Sequence, residues 1–245
     1  GTSQLLRTLS WFDSIDPMDP IGQTSGVKAL RLRWFPMHNL SSWNWIIASK
    51  DDTLSYGGRI EFSNTIGEWG FTYHTDPSKS IKSISSINTS VLGSDSRFAI
   101  DYRFDGLIGL WNESALIQSN RSKVVTMTLG ADYTLPISTG LLLTVEYMSM
   151  QNQFDYATRD SKFLALMASI PLGITHQIMM VSQMNIGEEK LYHFLRWSST
   201  YNYYSLNFIC TIYPKRSSYQ YHDQFLHQSL AGFGTGLQVM FIYNH

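Results

Sequence analysis

The chain is 245 residues long with a net charge of −1, and it is 43% hydrophobic, 15% charged and 14% aromatic, poorer in charge and richer in rings than an ordinary soluble domain. With 18 Lys plus Arg against 19 Asp plus Glu, it lacks the clustered positive excess that neutralises phosphates, which argues against a nucleic-acid partner. Its single cysteine, Cys210, excludes an intrachain disulfide and a multi-cysteine metal centre, and no run approaches the roughly 18 apolar residues of a membrane-spanning helix.

The opening Gly1-Thr2-Ser3-Gln4 has neither the basic start nor the apolar stretch of a secretory signal, so a signal is expected to be absent or already removed. Gln4 to Phe12 reads as a first strand, although Arg7 falls on the same face as Leu5, Leu9 and Trp11. Further strands are predicted to start at Val27 and Ser42. From Thr53 to Ser63, Tyr56, Gly58, Ile60 and Phe62 share one face, with Gly57, Arg59, Glu61 and Ser63 on the other. In Gly67 to Thr75, Trp69, Phe71 and Tyr73 oppose Glu68, Gly70, Thr72 and His74. Ser78 to Ser96 spaces Ile81, Ile84 and Ile87 by three, yet its serines and the Gly93-Ser94-Asp95 run predict a long loop rather than a short helix.

The alternation resumes in Arg97 to Phe104, where Phe98, Ile100, Tyr102 and Phe104 oppose Arg97, Ala99, Asp101 and Arg103. Asp105-Gly106 has the composition of a two-residue type I′ turn. From Val124 to Leu135, Val125, Met127, Leu129, Ala131 and Tyr133 line up against Thr126, Thr128, Gly130 and Asp132. The remaining strands are predicted to start at Ile108, Lys123, Leu141, Ser161, Thr175, Leu191, Ser205 and Gly236. Of these, Thr175 to Gln183 is apolar on both faces, while Leu237, Val239, Phe241 and Tyr243 share a single face.

A period of two says only that the two faces of a sheet meet different media. Three features narrow it. The segments run to about 9 to 11 residues, the length a tilted strand needs to cross a bilayer. The face opposite the apolar one is small or charged, which suits a wet interior. The connections alternate between short ones and long ones, the long being Asp13 to Gly26, His74 to Ser96, Met150 to Asp160 and Tyr213 to Thr235. At the short-turn end, strands finish in Trp34, Phe62, Phe104, Tyr133, Trp197 and Tyr243, and their partners begin with Trp43 or Trp69, as an aromatic girdle at headgroup level would. The expected fold is an all-β, transmembrane, antiparallel up-and-down β-barrel of about 14 strands, forming one domain over residues 1–245.

The runs Leu6-Arg7-Thr8-Leu9-Ser10-Trp11-Phe12, Asp16-Pro17-Met18-Asp19-Pro20-Ile21 and Gly26 to Pro36, with Gly130-Ala131-Asp132-Tyr133-Thr134 and Glu146-Tyr147, resemble segments of bacterial outer-membrane porins of the alginate-exporter-like kind. In such porins an Arg-containing strand leads through a Pro loop into a long amphipathic strand that ends in aromatic-Pro. The resemblance implies further strands before this region, so the chain is expected to lack an N-terminal portion or to be a smaller relative. Barrels of this kind also tend to end in an aromatic residue, whereas here Tyr243 is followed by Asn244 and His245.

On this reading Arg31, Arg33, Arg59, Glu61, Glu68, Arg97, Asp101, Arg103, Glu113, Asp132, Glu146 and Arg196 project into the lumen. The arginines between residues 31 and 103 predict a positive wall with later carboxylates opposite. That arrangement suits passive diffusion of small polar, anionic or zwitterionic solutes past a charged constriction. The same groups could instead pair across strands and fill a plugged interior, and sequence leaves both open.

No Ser sits in a Gly-x-Ser-x-Gly elbow. His222-Asp223 with His227 is the best acid–base or metal-like cluster, but in a polar loop it reads as solvated. The chain is therefore expected to be no enzyme and to hold no metal or cofactor. The bacterial outer membrane is the expected location, with lipid, lipopolysaccharide, small solutes and other envelope subunits as partners. The rival reading is a structural or interaction subunit of an outer-membrane assembly. A soluble propeller or sandwich would show repeats of about 40 to 50 residues, and none is found.

Overall fold

The structure is a computed structural model that describes residues 4–6, 8–9, 11–12, 27–48, 51–84, 89–155, 157–212 and 235–243. Its strands are β1 (Ala29–Met37), β2 (Leu40–Ala48), β3 (Leu54–Asn64), β4 (Gly67–Asp76), β5 (Ile81–Ile84), β6 (Thr89–Leu92), β7 (Asp95–Asp105) and β8 (Gly109–Ser119). They continue with β9 (Ser122–Leu135), β10 (Leu141–Phe154), β11 (Ala157–Leu172), β12 (His176–Asn185), β13 (Lys190–Thr200), β14 (Tyr204–Ile212) and β15 (Gly236–Tyr243). Thirteen of them form one antiparallel sheet in which each strand pairs with the next in sequence, from β1 through β4 and on from β7 to β15. β5 and β6 form a separate hairpin between β4 and β7. Among the described residues no helix is long and apolar enough to cross a membrane.

The up-and-down order and the alternating faces are as the sequence predicts, with specific differences. The described residues of Gln4–Phe12 are not in a strand. The N–H groups of Gln4, Leu5 and Leu6 bond to a side chain instead of a neighbouring ladder, as described below. The serine-rich stretch carries the β5–β6 hairpin in place of a plain loop. Asp105 and Gly106 both lack the positive φ of a type I′ turn, and the connection spans 106–108. The loop expected over Met150 to Asp160 is largely strand, because β10 runs on to Phe154 and β11 begins at Ala157. There Arg121 Nη2 meets Asp155 Oδ2 at 3.0 Å, closing that end. The two long loops expected over 13–26 and 213–235 lie outside the described residues apart from residue 235.

The described residues fall into two compact units. One holds β1 to β8 with parts of β9, β10 and β11, and the other holds the remainder. In the first unit the register fixes the faces. Arg59 lies opposite Thr72 and Glu61 opposite Gly70; Gly70 lies opposite Asp101 and His74 opposite Arg97; Asp101 lies opposite Glu113. That polar face is the hidden one: Asp101 and Arg97 are 3% exposed, and Glu113 and Glu146 are 0%. The apolar face is open, with Phe98 at 50% and Met127 at 44% exposure. No second layer of the described chain covers it.

In the second unit, Met179 and Val181 pack against the buried Phe194 and Ile209, while Met180, Leu195 and Trp197 on the other face are exposed. This resolves β12, whose sequence is apolar on both sides: one side packs within the unit and the other lies open. Trp34, Trp197 and Tyr243 are exposed, and the Trp69 ring lies tilted 4.4 Å from that of Tyr102 on the apolar face of the first unit. Trp43 does not join them. Its register partners are Arg33 and Arg59, so it lies on the polar face, with the Arg33 guanidinium 4.3 Å from its ring.

Close packing of the polar face depends on missing side chains at particular places. A Cβ at Gly130 would overlap the indole of Trp111, itself 2% exposed. Gly130→Ala should therefore destabilise the protein by about 1 to 3 kcal/mol in chemical denaturation. Most of that loss should vanish when Trp111→Ala is made in the same chain.

Candidate functional site

The site is a ladder of charges on the polar face of the first unit, near the turns that join β1 to β2 and β3 to β4. Arg59 leaves β3 and reaches over β4 to β7, donating from Nη1 to Asp101 Oδ2 at 2.6 Å and from Nη2 to Asp101 Oδ1 at 2.9 Å. It can cross because Gly70 lies between: a Cβ there would strike the guanidinium. Arg59 also donates from Nε to Glu61 Oε1 at 2.7 Å and from Nη1 to Thr72 Oγ1 at 2.8 Å, so its fork is used on both sides. Glu61 accepts from Ser41 Oγ at 3.1 Å and lies 3.8 Å from Arg33 Nη2. Ser41 in turn accepts from Trp43 Nε1 at 3.3 Å.

This ladder borders a cavity of about 590 Å³. Arg33, Arg59 and Arg103 line it together with Glu61, Glu68, Asp101 and Asp105. The positive wall expected from the arginine-rich stretch is therefore replaced by a balanced one. The carboxylates sit beside the arginines on neighbouring strands, because the register places Asp101 and Glu61 on either side of Gly70.

A second cluster lies toward the other end of the same strands. Asp95 Oδ1 accepts from Arg97 Nε at 2.7 Å, and Asp95 Oδ2 meets Lys82 Nζ at 2.7 Å. Lys82 is also 3.5 Å from Asp76 Oδ2. His74 Nδ1 accepts from Trp45 Nε1 at 3.2 Å, and the His74 ring meets the Phe12 ring edge-on at 4.7 Å. Sequence reasoning did not single out Lys82, Asp76, Asp95 or Trp45. The two-residue step that puts Asp95 on the face of Arg97, and Asp76 on that of His74, was the available signal.

Of the residues expected to line a channel, Arg33, Arg59, Glu61, Glu68, Asp101 and Arg103 come together at the cavity, and Arg103 Nε pairs with Asp105 Oδ1 at 2.8 Å. Arg31 lies over Trp43 at 4.8 Å, and Arg97 belongs to the second cluster. Glu113 is buried opposite Asp101. Glu146, also buried, accepts from the backbone N–H groups of Gln4, Leu5 and Leu6. Asp132 and Arg196 belong to the second unit and are part of neither cluster; Arg196 Nη2 lies 4.0 Å from Met179 Sδ. His222, Asp223 and His227 are outside the described residues. Among the described residues no group of three or more His, Cys, Asp or Glu is placed to hold a metal ion. No family model matches the chain, and neither a curated protein nor a solved structure matches it.

Truncating Arg59 leaves the buried Asp101 without its two guanidinium bonds. Arg59→Ala should cost about 3 kcal/mol, and Arg59→Ala with Asp101→Ala should cost less than the sum of the two single changes, a coupling read from a double-mutant cycle. Beyond the strands, Asp51 accepts from Ser78 Oγ at 2.8 Å and from the N–H groups of Ser80 at 3.0 Å and Lys79 at 3.2 Å. The Ser78 bond foremost holds its carboxyl below the ordinary carboxylate range. A depressed pKa means that this clamp is complete above the ordinary range and is lost as pH falls through the lower, folded value. The Ser80 amide resonance should move over that acidic window in the wild type and stay still in Asp51→Asn.

Proposed function

We propose that the protein is a bacterial outer-membrane β-barrel that lets small polar solutes pass along its charged face. The observation that carries this reading is the inverted sheet: Glu113, Glu146 and Asp101 are hidden while Phe98, Ile100 and Met127 are open. In water that arrangement forfeits the hydrophobic effect on one face and desolvates charge on the other. In a bilayer the open face is solvated by lipid tails, while the hidden charges are met by the Arg59–Asp101 pair and the N–H groups at Glu146. The wall strands of 8 to 16 residues, joined in up-and-down order, suit spans of about 9 to 11 residues. The likeness to alginate-exporter-like porins points the same way. Lipid and lipopolysaccharide would contact the rings, and the short turns would face the periplasm. The balanced charge at the cavity favours small polar or zwitterionic solutes over a strong preference for anions.

A spanning sheet must satisfy its edges. Thirteen strands in successive antiparallel pairs leave β1 and β15 running in the same direction. A ring built from these strands would close through a parallel seam or through one further strand. The odd count among the described residues favours a second reading, in which the protein is a subunit of an envelope assembly and a partner strand fits antiparallel to both edges.

In a planar bilayer the wild type should give discrete current steps with weak ion selectivity, and Asp101→Asn, which leaves Arg59 in excess, should shift the reversal potential toward anions. Inserted protein that passes no current would refute the channel. On the open face, Met127→Arg should cost about 2 to 4 kcal/mol of stability in lipid vesicles, whereas Leu107→Arg in the 106–108 turn should cost almost nothing. Equal, small costs at both positions would contradict membrane embedding.

A further inference from the structure

We propose that the polar face formed by β7 to β10 is a binding site for an extended peptide, and that its occupant is the chain's own segment 4–12, an internal strap that narrows the path. The strap's effect on flux rests on the channel reading above; the binding site does not.

The segment lies on the sheet without joining it. Its anchor is Glu146, 0% exposed, whose carboxylate accepts the N–H of Gln4 at 2.5 Å, of Leu5 at 2.9 Å and of Leu6 at 2.5 Å. Successive backbone N–H groups converging on one anion form a nest, and here the protein supplies the anion and the segment supplies the nest. These three N–H groups stabilise its buried carboxylate.

The contacts continue along the segment. Thr8 Oγ1 lies 2.5 Å from Thr128 Oγ1 and 3.8 Å from Met148 Sδ, and Thr128 Oγ1 also reaches the Leu6 carbonyl at 3.4 Å. Trp11 and Phe12 sit under the Arg97 guanidinium at 5.8 and 5.6 Å. Leu6, Thr8 and Trp11 are buried. The grip at Glu146 reads backbone, while Thr128 and Arg97 meet side chains further on, Thr8 two residues past Leu6 and Trp11 and Phe12 five and six past it.

The fit has polar capacity to spare. Thr126, on the same face and 1% exposed, has a hydroxyl with no partner among the described residues, and so does the indole N–H of Trp11. A permanent core element would leave few such groups unsatisfied. A site built for an exchangeable ligand keeps them.

The test uses the full chain, a chain lacking residues 1–12, and a dye-labelled synthetic peptide of residues 1–12. The peptide should bind the shortened protein in detergent. Glu146→Gln in that protein should weaken binding at least about tenfold, since three N–H groups lose a charged acceptor, and Lys123→Ala on the opposite face should change nothing. In a planar bilayer the shortened chain should pass several-fold more current than the full chain, and added peptide should reverse the gain. No peptide binding, or binding indifferent to Glu146→Gln, overturns the site. Binding with the expected Glu146 dependence but no current from either chain upholds the site and removes the channel. A second measurement needs no truncation: in the full chain carrying Cys210→Ser, Thr8→Cys and Thr128→Cys should cross-link under mild oxidation, and failure to do so overturns the seating.

Discussion

One inversion governs this sheet: charge is hidden and rings are open. A buried carboxylate without a partner costs several kcal/mol, so every acid on the polar face needs a cation or a set of N–H groups within reach. The same demand sets the positions of the small residues. Gly70 and Gly130 are the gaps through which Arg59 and Trp111 lie across neighbouring strands. Without those gaps the guanidinium could not span from β3 to β7, and Asp101 would have no partner.

The consequences divide along the strands. Near the β1–β2 turn the charges line a cavity and remain partly wet: Arg33 and Glu61 keep 42% and 32% side-chain exposure. Toward the other end, Lys82, Asp95 and Arg97 are packed tightly together, with 11%, 0% and 4%. The first arrangement is open to water; the second holds the β5–β6 hairpin against the sheet. The described part of the 4–12 segment is anchored at Glu146 and reaches this second cluster, where Phe12 meets His74 and Trp11 lies by Arg97. Solvated charge, structural charge and a seated peptide thus share one surface, and the choice between plug and pore turns on whether the segment stays or leaves.

Much of the wall was legible in the sequence, because strand alternation is local and each face reports its medium. The β7 run from Phe98 to Phe104 and the β9 run from Val125 to Tyr133 need no partner to be read. What depends on distant residues was not legible. Gln4–Phe12 looks like a strand because Leu5, Leu9 and Trp11 alternate, but the N–H groups of Gln4, Leu5 and Leu6 go to an acid about 140 positions away, which no local period can show. Trp43 sits where a girdle residue would by its place in the strand, yet the register with Arg33 turns it to the charged face. The reach of β10 and β11 through the polar residues around Asp155 was set by their pairing with each other, which overrides the turn-like composition there. At the site, the charged residues of the polar face were legible from alternation, but their pairing was not, since adjacency between β3 and β7 passes through a glycine.

The central claim is that the open apolar face meets hydrocarbon. Nitroxide labels placed singly along β7 at positions 96 to 104, in protein reconstituted into vesicles, test it most directly through their collision rates with oxygen and with a water-soluble nickel complex. The account predicts high oxygen and low nickel accessibility at 98, 100 and 102, alternating with low oxygen accessibility at 97, 99 and 101. Nickel reaching 98, 100 and 102 as readily as oxygen would place that face in water and contradict the account.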